Sequence, residues 1–308
     1  MSAALPVTVI GGYLGAGKTT LVNHLLRHAG GRRIAVMVND FGALAVDADL
    51  IEAERGDVLD IAGGCVCCSY GSDLMAALME LPRRRPDLDH VALEASGVAL
   101  PGAIASAVRL LPAYALDGVV VVADAETVRA RAADRYIGDT IDRQLAAADL
   151  VMLNKTDLVA PDAAAATARW IETRAPGGRV VATRRSAAPV EVVLGARTGA
   201  PPPVAPGMTP GGVDAASLYD SFTLRPEASL DLARLGAALT RAETGLLRAK
   251  GWLRDGAGAL RGFQLVGARW EVADAPATAR APGLVFIGLR AHLDRDAVTR
   301  AIDAARVG

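Results

Sequence analysis

Eight residues near the start of the chain, Gly12-Tyr-Leu-Gly-Ala-Gly17-Lys18-Thr19, restrict its fold more than any other stretch. They follow an apolar run, VTVIGG, and open an amphipathic stretch through Leu21, Leu25 and Leu26. An apolar strand, a glycine loop and a helix in that order call for a parallel sheet with crossover helices, because a strand apolar on both faces needs cover on both. Glycines at 12, 15 and 17 permit positive φ and close backbone approach, so loop amides and the helix N-terminus can converge on an anion. The spacing GxxxxGK[ST] fits a phosphate cradle built from Gly12, Gly15, Ala16, Gly17, Lys18, Thr19 and Thr20. In that reading Lys18 reaches the β- and γ-phosphates and Thr19 binds Mg²⁺ through its hydroxyl.

Further apolar runs ending in Gly or acidic residues, IAVMVND, VALEASG, GVVVVADA and LVMLNKTD, alternate with amphipathic stretches up to about residue 183. Together they predict a doubly wound α/β domain with a mostly parallel sheet over residues 1–194. TGAPPPVAPGMTPGG lies within a Pro/Gly-rich linker, placed at 195–215, and beyond it the pattern changes character. Strands are expected at 218–224, 246–253, 259–272 and 284–289, with helices at 230–241 and 294–306, which makes 216–308 a smaller α+β domain.

The base is read at Asn154-Lys155-Thr156-Asp157, at the end of LVML, where ligands gather along the carboxyl edge of such sheets. A buried Asp157 carboxylate would accept from N1–H and the exocyclic amine of guanine, which adenine cannot supply, so GTP is expected. Asn154 and Lys155 would support that loop and flank the base. HVALEASG delivers Glu94 at a strand end, placed for Mg²⁺, and Gly97 three residues on, whose amide can contact the γ-phosphate. The catalytic group is therefore read as Lys18, Thr19, Glu94 and Gly97. No Gln or Arg stands out as the group that positions water or stabilises charge, so slow intrinsic turnover is expected.

All 3 cysteines of the chain, Cys65, Cys67 and Cys68, fall within four residues of one another. Loops this short are poor disulfide frames, so thiols available to a metal or to redox chemistry fit better. Three thiolates fill three tetrahedral positions of Zn²⁺ and leave one for exchange; Co²⁺ fits the same donors. Adjacent Cys67 and Cys68 face one ion with difficulty, so two cysteines completed by Asp40 or another carboxylate form a variant. A thiol redox sensor using GTP as a second input, and a nucleotide-dependent assembly scaffold with incidental cysteines, are the rival readings.

Charge supports small molecules and proteins as partners: the formal net charge is -1, and basic residues are scattered, so nucleic acid is not expected. No apolar run reaches the ~20 residues of a membrane span. MSAALPVTVIGG enters a strand without a basic start, which gives a cytoplasmic expectation. His24 and His28, four apart, are read as helix surface, and Arg83, Arg84 and Arg85 as a solvated turn.

GGYLGAGKTT, VNDFGALAVD, GGCVCC, LEASGVALP, DRQLAAADLVMLNKTDLV, LLRAKGW and FQLVG together resemble the CobW family of P-loop GTPases, the cobalamin-biosynthesis and zinc-homeostasis metallochaperones, over nearly the whole chain. The resemblance implies a GTPase domain followed by a CobW-type C-terminal domain, metal binding by Cys65, Cys67 and Cys68, and transfer of Zn²⁺ or Co²⁺ to a client metalloprotein, with a homodimer left open. The family's usual acidic residue after NDFG is Ala43 here, the acid before the proline of the ExxG segment is Leu100, and the His-rich tract is absent.

Overall fold

The computed structural model describes residues 4–38, 58–60, 72–196, 218–241, 244–275, 279 and 281–307. Cys65, Cys67, Cys68, Asp40 and most of the Pro/Gly-rich stretch lie outside the described residues. The chain divides into two compact units, Ala3–Val190 and Glu191–Gly308.

In the first unit the order is β1 (Leu5–Gly11), α1 (Lys18–Arg27), β2 (Ile34–Val38), β3 (Val58–Asp60), α2 (Ser72–Arg84), β4 (His90–Glu94), α3 (Pro101–Arg109), β5 (Tyr114–Asp124), α4 (Val128–Ala132), α5 (Gly138–Ala146), β6 (Leu150–Asn154), α6 (Pro161–Glu172) and β7 (Arg179–Ala182). The strands form a seven-stranded sheet in the order β3-β2-β4-β1-β5-β6-β7, every pair parallel. Residues of β2, β4 and β6 are buried throughout, as continuous apolar runs covered on both faces must be. The winding reverses between β1 and β5, since the chain leaves β1 toward β2 and β3 on one side, and leaves β5 toward β6 and β7 on the other. Such a switch point opens a crevice at the carboxyl ends of the central strands.

α2 runs past the residue where a proline ought to stop it, carrying Pro82 inside and ending at Arg84. Arg83 and Arg84 thus belong to a helix end, with Arg84 paired to Glu80, while Arg85 forks onto both oxygens of Asp87. The three arginines expected as a solvated turn thus close a helix, with Arg83 and Arg84 exposed and Arg85 just beyond its end.

In the second unit α7 (Val190–Leu194), which begins at the unit boundary, is followed by β8 (Tyr219–Leu224), α8 (Leu232–Leu239), β9 (Leu246–Arg254), β10 (Leu260–Val266), β11 (Arg269–Asp274), β12 (Gly283–Leu289) and α9 (Arg295–Ala304). The sheet is antiparallel, in the order β11-β10-β9-β12-β8. Leu232, Leu235 and Leu239 of α8 and Val298 and Ile302 of α9 pack with Ala249, Leu253, Phe263, Leu284 and Phe286 of the strands into one core. The single strand expected over 259–272 is a hairpin. Val266 pairs with Arg269, leaving Gly267 and Ala268 as the turn, and Gly267 takes φ 58, which a tight reversal needs at its first central position.

Arg248 on β9 is 2% exposed, and a buried guanidinium requires acceptors. Its Nε donates to the Val192 carbonyl and its Nη2 to the Val193 carbonyl, at the end of α7. Lys250, two residues on, stands opposite Gln264 and Val285 in the middle of the sheet.

Candidate functional site

Gly12 opens the loop after β1 at φ 130, and a side chain there would run into the carbonyl oxygen of Val122 on β5. Only glycine lets the chain turn this close to the neighbouring strand. Gly17, at φ 109, is the residue from which α1 starts; a Cβ on it would lie 2.5 Å from Asn154 Nδ2 and 2.9 Å from Ser186 Oγ. The loop is thus pressed against β5 on one side and against the end of β6 on the other. Ala16 N donates to Tyr13 O at 3.2 Å, and buried Lys18 extends its Nζ back to the same carbonyl at 3.5 Å.

Thr19 and Glu94 come together from α1 and β4. The Thr19 hydroxyl donates to Glu94 Oε1 at 3.1 Å, and Glu94 is 2% exposed. This places a hydroxyl and a carboxylate, both hard oxygen donors of the kind Mg²⁺ takes, at the entrance to α1. Gly97 lies against the phosphate loop, since a Cβ there would sit 2.5 Å from Leu14 Cδ2 and 2.8 Å from the Leu14 amide nitrogen.

The loop after β6 is tied to the phosphate loop by Asn154. Its Nδ2 donates to Ala16 O at 2.9 Å and its Oδ1 accepts from the Ser186 amide at 2.7 Å. Ser186 Oγ in turn donates to Gly17 O at 3.0 Å. Lys155 adopts a left-handed backbone, φ 61, and its Nζ donates to Asp124 Oδ2 at 2.7 Å. Asp124 ends β5 directly opposite Asn154 in register. Asp157 sits in a short 3₁₀ turn, Thr156–Leu158, and is exposed, not buried as its base-reading role suggested; its carboxylate faces solvent at the rim. Arg185 and Ser186, φ 51 and 53, continue the rim in strained left-handed conformations, of the kind that gathers at binding sites.

The structure therefore brings Gly12, Gly15, Ala16, Gly17, Lys18, Thr19, Thr20, Glu94, Gly97, Asn154, Lys155 and Asp157 to one edge of one sheet. Asp124, Ser186, Gln144 and Arg131 are additions that sequence reasoning passed over. Buried Gln144 on α5 donates through Nε2 to the carbonyls of Gly97, at 3.0 Å, and Ala99, at 2.8 Å. Arg131 donates through Nη1 to Leu14 O at 2.6 Å. Among the described residues no group of three His, Cys, Asp or Glu converges as a metal site, and no helix is long and apolar enough to cross a membrane.

His24 departs from the surface reading. Its Nε2 meets Ala188 O at 2.8 Å, its ring stacks on His28 with centroids 4.2 Å apart, and its pKa falls below the ordinary 6.5 because burial, then the His28 charge, disfavour the cation.

A doubly wound parallel sheet with a glycine loop at its switch point, a Thr–Glu oxygen pair beside that loop and an Asn-Lys-x-Asp loop two strands away define a phosphate-loop nucleotide-binding protein. Residues 6–182 match the family model described as CobW/HypB/UreG, nucleotide-binding domain, and residues 219–306 match that of the cobalamin synthesis protein cobW C-terminal domain. The chain belongs to the CobW/HypB/UreG family and carries the CobW C-terminal domain as well.

The "Zinc chaperone CobW" of Pseudomonas aeruginosa is 36% identical over 225 residues, covering 63% of this chain and 60% of the relative. The "Zinc-regulated GTPase metalloprotein activator 1" of Schizosaccharomyces pombe is 33% identical over 172 residues, covering 52% of this chain and 41% of that protein. The "Zinc chaperone YjiA" of Escherichia coli is 36% identical over 162 residues, half of each chain. The matched part is thus less than two thirds of the length of each of these relatives. Among solved structures, Zn(II)-bound YjiA GTPase from E. coli aligns over 99% of this chain and 100% of its own, at 20% identity and a TM-score of 0.45.

Proposed function

We propose that the chain is a GTP-hydrolysing metallochaperone that carries Zn²⁺, or Co²⁺, on Cys65, Cys67 and Cys68 and passes it to a client metalloprotein according to its nucleotide state. The observation that carries the nucleotide half is the bond network joining the phosphate loop to both of its expected companions, Thr19 to Glu94 and Ala16 to Asn154. Lys18 and the amides of the loop would hold the phosphates, Thr19 and Glu94 an Mg²⁺ ion, and Asp157 the guanine edge. Bound Mg²⁺ would neutralise charge building on the β- and γ-phosphates. The zinc chaperone names of the relatives support the metal half.

Strand order supports coupling between the halves. Val38 of β2 lies opposite both Asp60 of β3 and Glu94 of β4. At about 4.8 Å per strand, the Asp60 backbone is roughly 10 Å from that of Glu94. Asp60, at the end of β3, precedes Cys65 by five residues, a tether short enough for the γ-phosphate and the metal to influence each other. Hydrolysis would remove contacts at Glu94 and Gly97 and change metal affinity, and the coupling must be equal in both directions.

The test is equilibrium titration of Zn²⁺ and Co²⁺ into the protein with GTPγS, with GDP and without nucleotide. Equal affinity in all three states refutes the coupling, and unchanged affinity after Cys65, Cys67 and Cys68 are all replaced by Ser refutes the metal site. Base reading is tested separately with Asp157→Asn, which trades the double acceptor for one donor and one acceptor. GTP should weaken and xanthosine triphosphate, whose carbonyl replaces the amine, should gain.

A further inference from the structure

Arg131, in the last turn of the short helix α4, reaches the phosphate loop from a distance of 117 residues in sequence. Its Nη1 donates to the Leu14 carbonyl at 2.6 Å, and its guanidinium carbon stands 5.1 Å from the centroid of the Tyr13 ring. Leu14 is also the loop residue that packs on Gly97, the glycine whose amide is expected to sense the γ-phosphate. One residue therefore touches both the sensor glycine and the arginine. Gln144 holds the carbonyl of that same glycine from behind at 3.0 Å, which fixes the Gly97–Val98 peptide on the far side of the Cα from the sensing amide. Tyr13, Ala16, Asp124, Arg131 and Gln144 line a common small cavity along this side of the loop.

We infer that Arg131 is the charge-stabilising residue of GTP hydrolysis, supplied in cis to the γ-phosphate end of the site. The inference rests on the nucleotide reading above. In the reaction a water oxygen bonds to the γ-phosphorus while the bond from that phosphorus to the β–γ bridging oxygen breaks. The electron pair stays on the GDP oxygen, and the water protons end on inorganic phosphate and in solvent. Arg131 transfers no proton; its planar, permanently charged fork meets the charge that builds on the phosphoryl oxygens. Its present partner, the Leu14 carbonyl, is a neutral acceptor. A charged phosphate oxygen is the stronger one, so the guanidinium has reason to leave the carbonyl when the triphosphate is bound.

The experiment compares the parent protein with Arg131→Ala and Arg131→Lys in Mg²⁺. Steady-state kcat and KM for GTP are measured, as is equilibrium affinity for GDP with and without aluminium fluoride, which mimics the phosphoryl group in transfer. Arg131→Ala should lower kcat by about 100-fold or more while KM and plain GDP affinity move less than about threefold. The gain in GDP affinity that aluminium fluoride confers should vanish, and Arg131→Lys should recover little of either, lacking the planar fork. An unchanged kcat overturns the inference. So does a parallel loss of kcat and plain GDP affinity, the signature of a residue that only braces the loop. Thermal unfolding checks each variant, and Arg131→Lys alone carries the comparison if the alanine variant does not fold. A parent protein with no Mg²⁺-dependent GTP hydrolysis would instead sink the nucleotide reading itself.

Discussion

Asn154 donates to the Ala16 carbonyl at 2.9 Å, so the loop expected to read the base and the loop expected to hold the phosphates are fastened by a single carboxamide. The same side chain accepts from the Ser186 amide, and each of its ends is matched to its partner. Asn154→Asp keeps the acceptor toward Ser186 but turns a carboxylate oxygen toward the Ala16 carbonyl. The buried mismatch should cost about 2 kcal/mol, or roughly thirtyfold in affinity for GDP and GTP alike. Calorimetric titration reads this directly, and an undiminished affinity would separate the two loops energetically.

Tyr114 and Pro82 answer each other across the first unit. A helical residue at 82 would donate its N–H to the carbonyl four residues back, Leu78, but proline has no N–H to give. The Tyr114 hydroxyl fills that place, donating to Leu78 O at 2.6 Å, and burial pushes its pKa up to about 12. Tyr114→Phe should destabilise the protein by about 1 to 3 kcal/mol in urea unfolding, because the carbonyl is left without its donor. With Pro82→Ala in the background the helix supplies its own N–H, and the cost of Tyr114→Phe should shrink. Equal costs in both backgrounds would mean the two residues act independently.

Glu94→Gln keeps the shape and a hydrogen-bonding oxygen for Thr19 but removes the charge that a cation would need. Binding of GTPγS in Mg²⁺ should weaken by about tenfold, close to 1.4 kcal/mol, whereas binding of GDP in EDTA should hold steady. Retention of the full Mg²⁺ dependence would move the cation away from Glu94.

The sheet of the first unit was readable because each central strand is a continuous apolar run closed by a polar or glycine residue, a pattern that survives without knowledge of neighbours. The phosphate loop, Glu94 and Asn154 were readable for the same reason: each sits at or just after the end of such a strand. Arg131, Gln144 and Ser186 were not, because their partners lie far off in sequence and only tertiary packing joins them. Asp124 gave a signal that was passed over, an acid closing the run GVVVVADA in the manner of Glu94 closing HVALE. In the second unit the hairpin inside 259–272 was hidden by its turn, Gly267-Ala268, where one glycine stands between FQLV and RWEV without Asn, Asp or Pro. The histidine pair misled because spacing reports which residues share a helix face, and says nothing of the loop that covers it.

That cover gives His24 a pH dependence. Its pKa is lowered in the folded chain first by burial, then by the neighbouring His28 and Arg27, with the bond to Ala188 opposing them. Between the lowered folded value and the ordinary 6.5 the unfolded chain holds the proton more often, so protons favour unfolding. The stability His24 contributes is complete above 6.5 and is lost as pH falls through the folded value. The parent should therefore lose thermal stability from about pH 7.5 to about pH 5.5 more steeply than His24→Gln, which keeps a donor for Ala188 but cannot take up a proton. His28, His90 and His292 are common to both proteins, so the difference between the two slopes reports the replacement at position 24. Superimposable slopes would show that the Ala188 bond offsets the burial, and that protonation at His24 leaves the fold indifferent.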